Sequence, residues 1–162
     1  MFGLLNDNPV AAKAGITIQR PADEVFRFIG VDFFRNYPRW SPEVIELKPM
    51  TPGEVRLGTL ARQVRVDQGN RSESSFKVTV FEPASRIRFE GVSNPYVCDY
   101  LLDGESTGTA TRVVFTFELL RLELYMRPFE KLIRIAIQDG AERTVRNIKR
   151  LIEAEAAALA SQ

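Results

Sequence analysis

The last third of the chain carries an apolar repeat that is typical of one long helix. Such spacing places a continuous apolar stripe along one helix face. At a rise of 1.5 Å per residue, a helix over residues 126–160 would run roughly 50 Å, longer than the core of a small domain requires. The sequence therefore predicts a helix lying across a large concave sheet, with space for a ligand between them. The residues of the stripe are Phe129, Leu132, Ile133, Ala136, Ile137, Ala141, Thr144, Val145, Ile148, Leu151 and Ile152.

The rest of the chain has the alternation and turn signals of strands joined by hairpins. After a short leader over residues 1–9, two short helices interrupt the strands: one begins at residues 20–24 and ends near Gly30, and one covers residues 33–40 and is ended by Pro38. Residues 121–127 either extend the last strand or form a flap before the long helix. The predicted strands cover residues 10–19, 44–47, 59–66, 71–81, 86–92, 96–102 and 109–119.

This order predicts an α+β fold with a single domain over residues 1–162. About seven strands form a curved antiparallel sheet wrapped round the long C-terminal helix, and two short helices follow the first strand.

Charge and residue content exclude several kinds of function. The 22 basic and 21 acidic residues leave a net charge of +1, so nucleic acid is not predicted as a partner. One cysteine, Cys98, excludes an intrachain disulfide, and the absence of histidine removes imidazole acid–base catalysis and most zinc or iron sites. We predict no metal and no cofactor.

The sequence also predicts where the chain resides. No secretory signal begins at Met1, and no apolar run approaches the ~20 residues that span a bilayer. A cytoplasmic protein without an integral membrane segment is therefore expected.

Strand parity predicts which apolar side chains face the interior. Alternate residues of a strand share a face, and most inward aromatics fill the core of any fold. On the long helix, Phe129, Ile133 and Ile137 are expected to face the sheet near the cavity opening. The predicted inner rows are Val113, Phe115, Phe117 and Leu119; Phe76, Val78 and Val80; and Ile87 and Phe89.

Polar residues at inward positions would orient a ligand in an apolar pocket. Arg62 shares parity with Leu60, Val64 and Val66 and is expected to point inward, unless a bulge or an edge position turns it outward. A buried arginine requires an anionic partner or ligand.

A second set of polar candidates lies on a later strand. Tyr96 and Tyr100 alternate with Cys98, so either phenol could donate a hydrogen bond to a ligand oxygen, and Asp99 faces the other way. Cys98 is expected to be a small buried hydrophobe.

Four segments resemble the helix-grip superfamily, also called START-like or SRPBCC, and within it the polyketide cyclase/dehydrase-type proteins. Residues 16–26 match its opening strand and acid-rich helix start, and residues 37–44 resemble its W-x-P segment. Residues 58–62 resemble its G-T-x-x-R strand start, and residues 78–87 its V-x-x-x-E-P-P-x-R-I strand–turn–strand. The resemblance covers residues 10–155 and implies a cavity for an apolar small molecule.

The resemblance also supplies two functional hypotheses. The first is binding of a lipid, quinone or polycyclic metabolite between sheet and helix; the alternative is a polyketide aromatase/cyclase or dehydrase, with Arg62 stabilising enolate charge and Tyr96 or Tyr100 donating a proton. Whether the chain is an enzyme stays open, as do a protein partner and a homodimer. In the family a tryptophan equivalent to Trp40 borders the cavity; otherwise Trp40 packs on the short helices. The predicted ligand-binding residues are Trp40, Arg62, Phe76, Val78, Phe89, Tyr96, Tyr100, Phe115, Phe117, Phe129, Ile133 and Ile137.

Overall fold

Seven antiparallel strands and a long C-terminal helix make up most of the computed structural model, which describes residues 9–162. The sheet order is β1-β7-β6-β5-β4-β3-β2, so β1 and β2 form its edges. The strands are β1 (Val10–Ile18), β2 (Val44–Pro49), β3 (Leu60–Asp67), β4 (Asn70–Glu82), β5 (Arg86–Gly91), β6 (Tyr96–Gly104) and β7 (Thr111–Leu119). The predicted α+β helix-grip fold is confirmed. Except for Pro9, the predicted leader lies outside the described residues.

Three helical segments lie between β1 and β2. Helix α1 (Ala22–Phe26) begins after Pro21 and has an acidic first turn, as predicted; a π-helical turn (Arg27–Val31) then leads into α2 (Phe33–Trp40). Pro38 lies inside α2 instead of ending it. Proline removes one donor from a helix, but the buried Trp40 side chain anchors the last turn against the core.

A tight turn fixes the register between β3 and β4. Asp67 pairs with Asn70 across a two-residue turn, in which Gln68 and Gly69 have φ angles of 51° and 84°. Two positive φ values define the turn type whose twist matches antiparallel strands. This tight turn holds the inward residues of the two strands opposite each other.

Because β4 contains a bulge, the predicted inner row Phe76, Val78 and Val80 is wrong at Val80. Val78 pairs with Phe89, but the register shifts before Val80, which pairs with Arg88. The inserted residue reverses the parity of the strand, so Phe81 packs on the core in place of Val80. The Phe81 ring lies 5.3 Å from that of Phe26, edge to face.

Helix α3 (Glu130–Ala160) runs alongside β1 and follows a short 3₁₀ segment, Leu124–Phe129. Gln138 donates to the Lys13 carbonyl over 3.0 Å, and Lys149 to the Thr17 carbonyl over 2.7 Å. The face toward the sheet is buried at Ala141, Val145, Ile148 and Ile152. No helix of the described chain combines the length and apolar character that crossing a bilayer requires.

The first turns of α3 differ from the predicted continuous stripe. Leu132, Ile135 and Ala136 are exposed, because they lie on the side of the helix away from the buried face. Phe129, which ends the 3₁₀ segment before α3, is exposed as well. Residues 121–127 neither extend β7 nor pair with it: the strand ends at Leu119 and the 3₁₀ segment begins at Leu124. The buried stripe therefore covers only the C-terminal part of the predicted helix face.

Candidate functional site

Aromatic rings from α2 and the concave face of the sheet fill the deep interior. Phe33 stacks on Phe89 with ring centroids 4.4 Å apart, and Tyr100 lies 4.8 Å from Phe115. Phe76, Val78, Phe89, Tyr100 and Phe115, all predicted to bind ligand, are buried members of this one cluster. Close-packed interiors leave few voids larger than a water molecule.

Trp40 lies in the same cluster and is 1% exposed. Its ring is 5.8 Å from Phe28, 5.6 Å from Tyr37 and 6.0 Å from Tyr100. Asn147 of α3 donates to the Trp40 carbonyl over 3.0 Å. Trp40 thus joins α2 to both the sheet and the long helix.

The space predicted between sheet and helix is largely occupied at this depth. A narrow gap remains beneath α2, between Phe33, Ala61, Phe76 and Phe89, and it has no room for a water molecule. A polycyclic ligand does not fit there beside the side chains as they stand. The deep part of the predicted cavity is therefore packed core.

A second part of the concave face is less covered, and we call it the open end. Its side chains face inward and pack on the core but are only partly buried, because α3 lies over β1 and covers β6 and β7 less fully. Tyr96 and Phe117 stack there with centroids 6.2 Å apart and 26° between their planes. The open end comprises Ala14, Tyr96, Cys98, Phe117 and Ile137.

A chain of hydrogen-bonded side chains runs along the open end. The Tyr37 hydroxyl donates to Gln63 Oε1 over 2.9 Å, and Gln63 Nε2 donates to Ser74 Oγ over 3.2 Å and to the Tyr96 hydroxyl over 3.4 Å. Ser74 Oγ and the Tyr96 hydroxyl lie 3.2 Å apart. Gln63 is buried, so this chain satisfies an amide that would otherwise be costly to bury.

Arg65 anchors this chain from β3. Its Nη1 donates to the Tyr37 hydroxyl over 2.9 Å and to Ser41 Oγ over 3.1 Å. Nε and Nη2 donate to both carboxylate oxygens of Asp67, over 3.0 and 2.9 Å. This bidentate salt bridge with Asp67 fixes the Arg65 guanidinium in one orientation.

Electrostatics keep the phenols and the thiol of this region neutral. Burial raises the pKa of Tyr96 to about 12 and that of Cys98 to about 12. Burial also raises the pKa of Tyr37 and Tyr100. The site therefore offers hydroxyl donors, while Cys98 is not a thiolate nucleophile near neutral pH.

The inward orientation predicted for Arg62 is wrong. Strand β3 directs Ala61, Gln63 and Arg65 inward, and Arg62 pairs with Glu73 across the outer face. Leu60, Val64 and Val66 share the parity of Arg62, and these apolar neighbours made the outer face look like the inner one. Arg62 cannot stabilise an enolate on the concave face from this position.

The two arginines should differ in their effect on stability. Arg65→Ala should lower the free energy of unfolding by about 2–3 kcal/mol, because it strips donors from partly buried acceptors, whereas Arg62→Ala removes an exposed pair and should cost about 1 kcal/mol or less. The side chains are 25% and 41% exposed. Urea unfolding followed by circular dichroism measures both, and equal losses would contradict the assigned orientations.

The remaining predicted residues divide between site and surface. Tyr96, Phe117 and Ile137 belong to the open end, whereas Ile133 is half-buried and Phe129 is 56% exposed. Sequence reasoning missed Tyr37, Gln63, Arg65 and Ser74. The signal for Gln63 and Arg65 was their parity with Ala61, while Tyr37 and Ser74 carried no distinctive pattern.

A long helix gripped by a seven-stranded antiparallel sheet, with an inward aromatic cluster and a polar chain, defines a helix-grip protein. The family model for "polyketide cyclase / dehydrase and lipid transport" matches residues 9–153, and the chain belongs to this family. No curated protein sequence matches the chain.

Solved structures of low sequence identity share the fold. The Zhui aromatase/cyclase from Streptomyces sp. R1128 is 12% identical with a TM-score of 0.74, covering 90% of this chain and 94% of its own. A protein from Thermus thermophilus is 20% identical with a TM-score of 0.70, covering 90% and 98%. Major latex-like protein 151 from Panax ginseng is 12% identical with a TM-score of 0.64, covering 88% and 96%.

Proposed function

We propose that the protein binds a hydrophobic small molecule at the open end of its concave face. The observation that carries the proposal is an inward-facing apolar surface, Tyr96 with Phe117 and Ile137, left partly uncovered beside a chain of neutral hydroxyl donors. Ligand sites combine such apolar walls with a few polar groups that fix orientation. The family's lipid-transport and polyketide members support the same class of ligand.

The packing sets where such a ligand lies. Within the deep cluster, the gap beneath α2 is too narrow even for a water molecule. A lipid, quinone or polycyclic metabolite therefore lies across the open end, with its flat or aliphatic part against Phe117 and an oxygen toward Tyr96. Deeper insertion would require aromatic side chains to change rotamer.

A titration with the fluorescent apolar probe N-phenylnaphthylamine tests the proposal. The wild-type protein should bind the probe, and Phe117→Ser should weaken binding by about tenfold or more, because burying an aromatic side chain is worth about 1.5–3 kcal/mol. Binding is followed by probe fluorescence and by competition with candidate lipids and quinones.

The matched control is Val114→Ser on the same strand. Val114 is partly buried, as Phe117 is, but has the opposite parity on β7 and so faces away from the concave side. This variant should bind the probe as the wild type does. Equal weakening in both variants, or no binding by the wild type, would contradict the proposal.

A second candidate is cyclisation of a poly-β-keto chain. The observation favouring it is the contact of the Arg65 guanidinium with the Tyr37 hydroxyl at 2.9 Å, which polarises a chain of proton donors ending at Tyr96. Such a donor could stabilise the alkoxide that forms when an enol carbon attacks a carbonyl carbon. Burial raises the pKa of Tyr96, so its phenol stays protonated near neutral pH; it can donate a hydrogen bond to the forming alkoxide but cannot act as a base. An aromatic product formed from a poly-β-keto thioester, detected by mass spectrometry, would support this candidate.

A further inference from the structure

From Arg65 as far as Gln63, the direction of each hydrogen bond in the polar chain follows from its first member. Arginine donates only, so the Tyr37 oxygen accepts from Arg65 and its single proton goes to Gln63 Oε1. The Gln63 amide then presents its Nε2 protons to Ser74 and Tyr96. Hydrogen-bond donation therefore runs from Arg65 to Ser74 and Tyr96. Both of these hydroxyl groups accept from Gln63 and keep their own protons.

A proton remains unused at that end. Ser74 and Tyr96 carry one hydroxyl proton each, and the 3.2 Å contact between them uses one of the two. Neither hydroxyl makes any other hydrogen bond as a donor within residues 9–162. Both side chains are only partly buried, so the second proton is available to an acceptor at the open end.

Arg65, the cation of this hydrogen-bonded chain, is not available to a ligand. Four of its N–H groups donate to Asp67, Tyr37 and Ser41, and Nη2 also lies 3.8 Å from Glu43 Oε1. A carboxylate entering the open end would lose hydration, and Arg65 has no free N–H group with which to compensate that loss. Burying an ionised group in this way is far more costly than burying a neutral carbonyl.

We propose that the open end selects neutral molecules that carry a hydrogen-bond-accepting oxygen, such as a ketone or a quinone, over their carboxylate analogues. The spare hydroxyl proton of Ser74 and Tyr96 meets this oxygen. The inference rests on the proposed function and adds the chemical class of its ligand.

Three ligands of one ring system test the selection: fluorene, fluorenone and fluorenecarboxylate, each displacing N-phenylnaphthylamine. Fluorenecarboxylate should bind most weakly. The ratio of the fluorene to the fluorenone dissociation constant reports the hydrogen bond, since the shared ring contacts cancel. Removing the hydrogen bond should lower this ratio by about threefold to tenfold.

Proton counting predicts an unusual pattern among variants. Tyr96→Phe leaves the Ser74 proton free, and Ser74→Ala leaves the Tyr96 proton free, so each single variant should keep most of the wild-type ratio. Only the Ser74→Ala/Tyr96→Phe double variant should lose it. A native circular dichroism spectrum shows that the double variant remains folded, and the ratio of the two dissociation constants cancels any change in ring contacts at Tyr96.

A second measurement applies even if the double variant fails to fold. The infrared carbonyl stretch of bound fluorenone should shift to lower wavenumber in the wild type and in both single variants, as an accepted hydrogen bond weakens the carbonyl bond. An unshifted stretch in the wild type would overturn the inference.

The outcomes separate the two proposals. If fluorene and fluorenone bind but the ratio is the same in all variants, or fluorenecarboxylate binds as tightly as fluorenone, the selection is wrong while the binding function stands. If a single variant loses as much as the double variant, the proton count is wrong. If none of the three ligands and no probe binds, the proposed function falls and the inference with it.

Discussion

Alkaline pH should destabilise the folded protein over the range from about pH 9 to about pH 12. The pKa of Cys98 rises from 9.0 to about 12 and that of Tyr96 from 10.0 to about 12, chiefly through burial. Tyr37 and Tyr100 shift in the same direction. Each unit of difference between folded and unfolded states corresponds to about 1.4 kcal/mol, so the combined loss should reach several kcal/mol.

The protein loses stability as the pH rises because the folded and unfolded states bind these protons with different affinities. The folded state holds these protons more tightly than the unfolded state does, so their full contribution is present below the unfolded pKa values. It is lost as the pH rises through the window toward the folded values. Urea unfolding measured at steps across this window, by circular dichroism, gives the free energy at each pH.

Two variants sharpen the alkaline experiment. Cys98→Ala removes one of the groups and should flatten the decline, whereas Tyr125→Phe alters a tyrosine that is 75% exposed and should leave the profile unchanged. A free energy of unfolding that stays constant up to pH 12 would contradict burial of these groups on the concave face.

Replacing Trp40 by alanine should strongly lower the free energy of unfolding. The loss should be about 3–5 kcal/mol, the usual range for removing a buried tryptophan. The side chain contacts aromatic rings of both α2 and the sheet, so the cavity left behind cannot close by the movement of one element. Such a loss is a large part of the stability of a typical domain.

Urea unfolding of Trp40→Ala and Leu57→Ala provides the comparison. Leu57 is 65% exposed, so its truncation should change the free energy of unfolding by about 0.5 kcal/mol or less. A loss below about 1 kcal/mol in Trp40→Ala would mean that Trp40 borders an open cavity, as the family resemblance implied, and does not support the core.

Elements with one buried face were predictable from the sequence. In β7, Val113, Phe115 and Phe117 alternate with Arg112 and Thr116, and the burial follows that alternation as far as Phe115. The C-terminal part of α3 was predictable for the same reason. Its first turns were not, because whether Leu132 and Ile135 meet the sheet depends on tertiary packing that helical spacing does not encode.

The polar part of the site was harder to predict. Both faces of β3 carry apolar residues, and Val64 is fully buried although it lies outside the central cluster, so hydrophobicity did not reveal which parity faces inward. The β4 bulge adds one residue with no sequence marker, which exchanged Val80 for Phe81. Tyr37 joins Gln63 across 26 positions, a contact that only the folded chain brings about.

Binding at the open end is tested by nuclear Overhauser contacts between bound N-phenylnaphthylamine and isotope-labelled protein. We expect contacts from the probe to Tyr96, Phe117 and Ile137, the partly buried inward residues of the open end. Contacts confined to the exposed residues Leu132 and Ile135 of α3 would contradict it, because the apolar molecule would then lie outside the concave face.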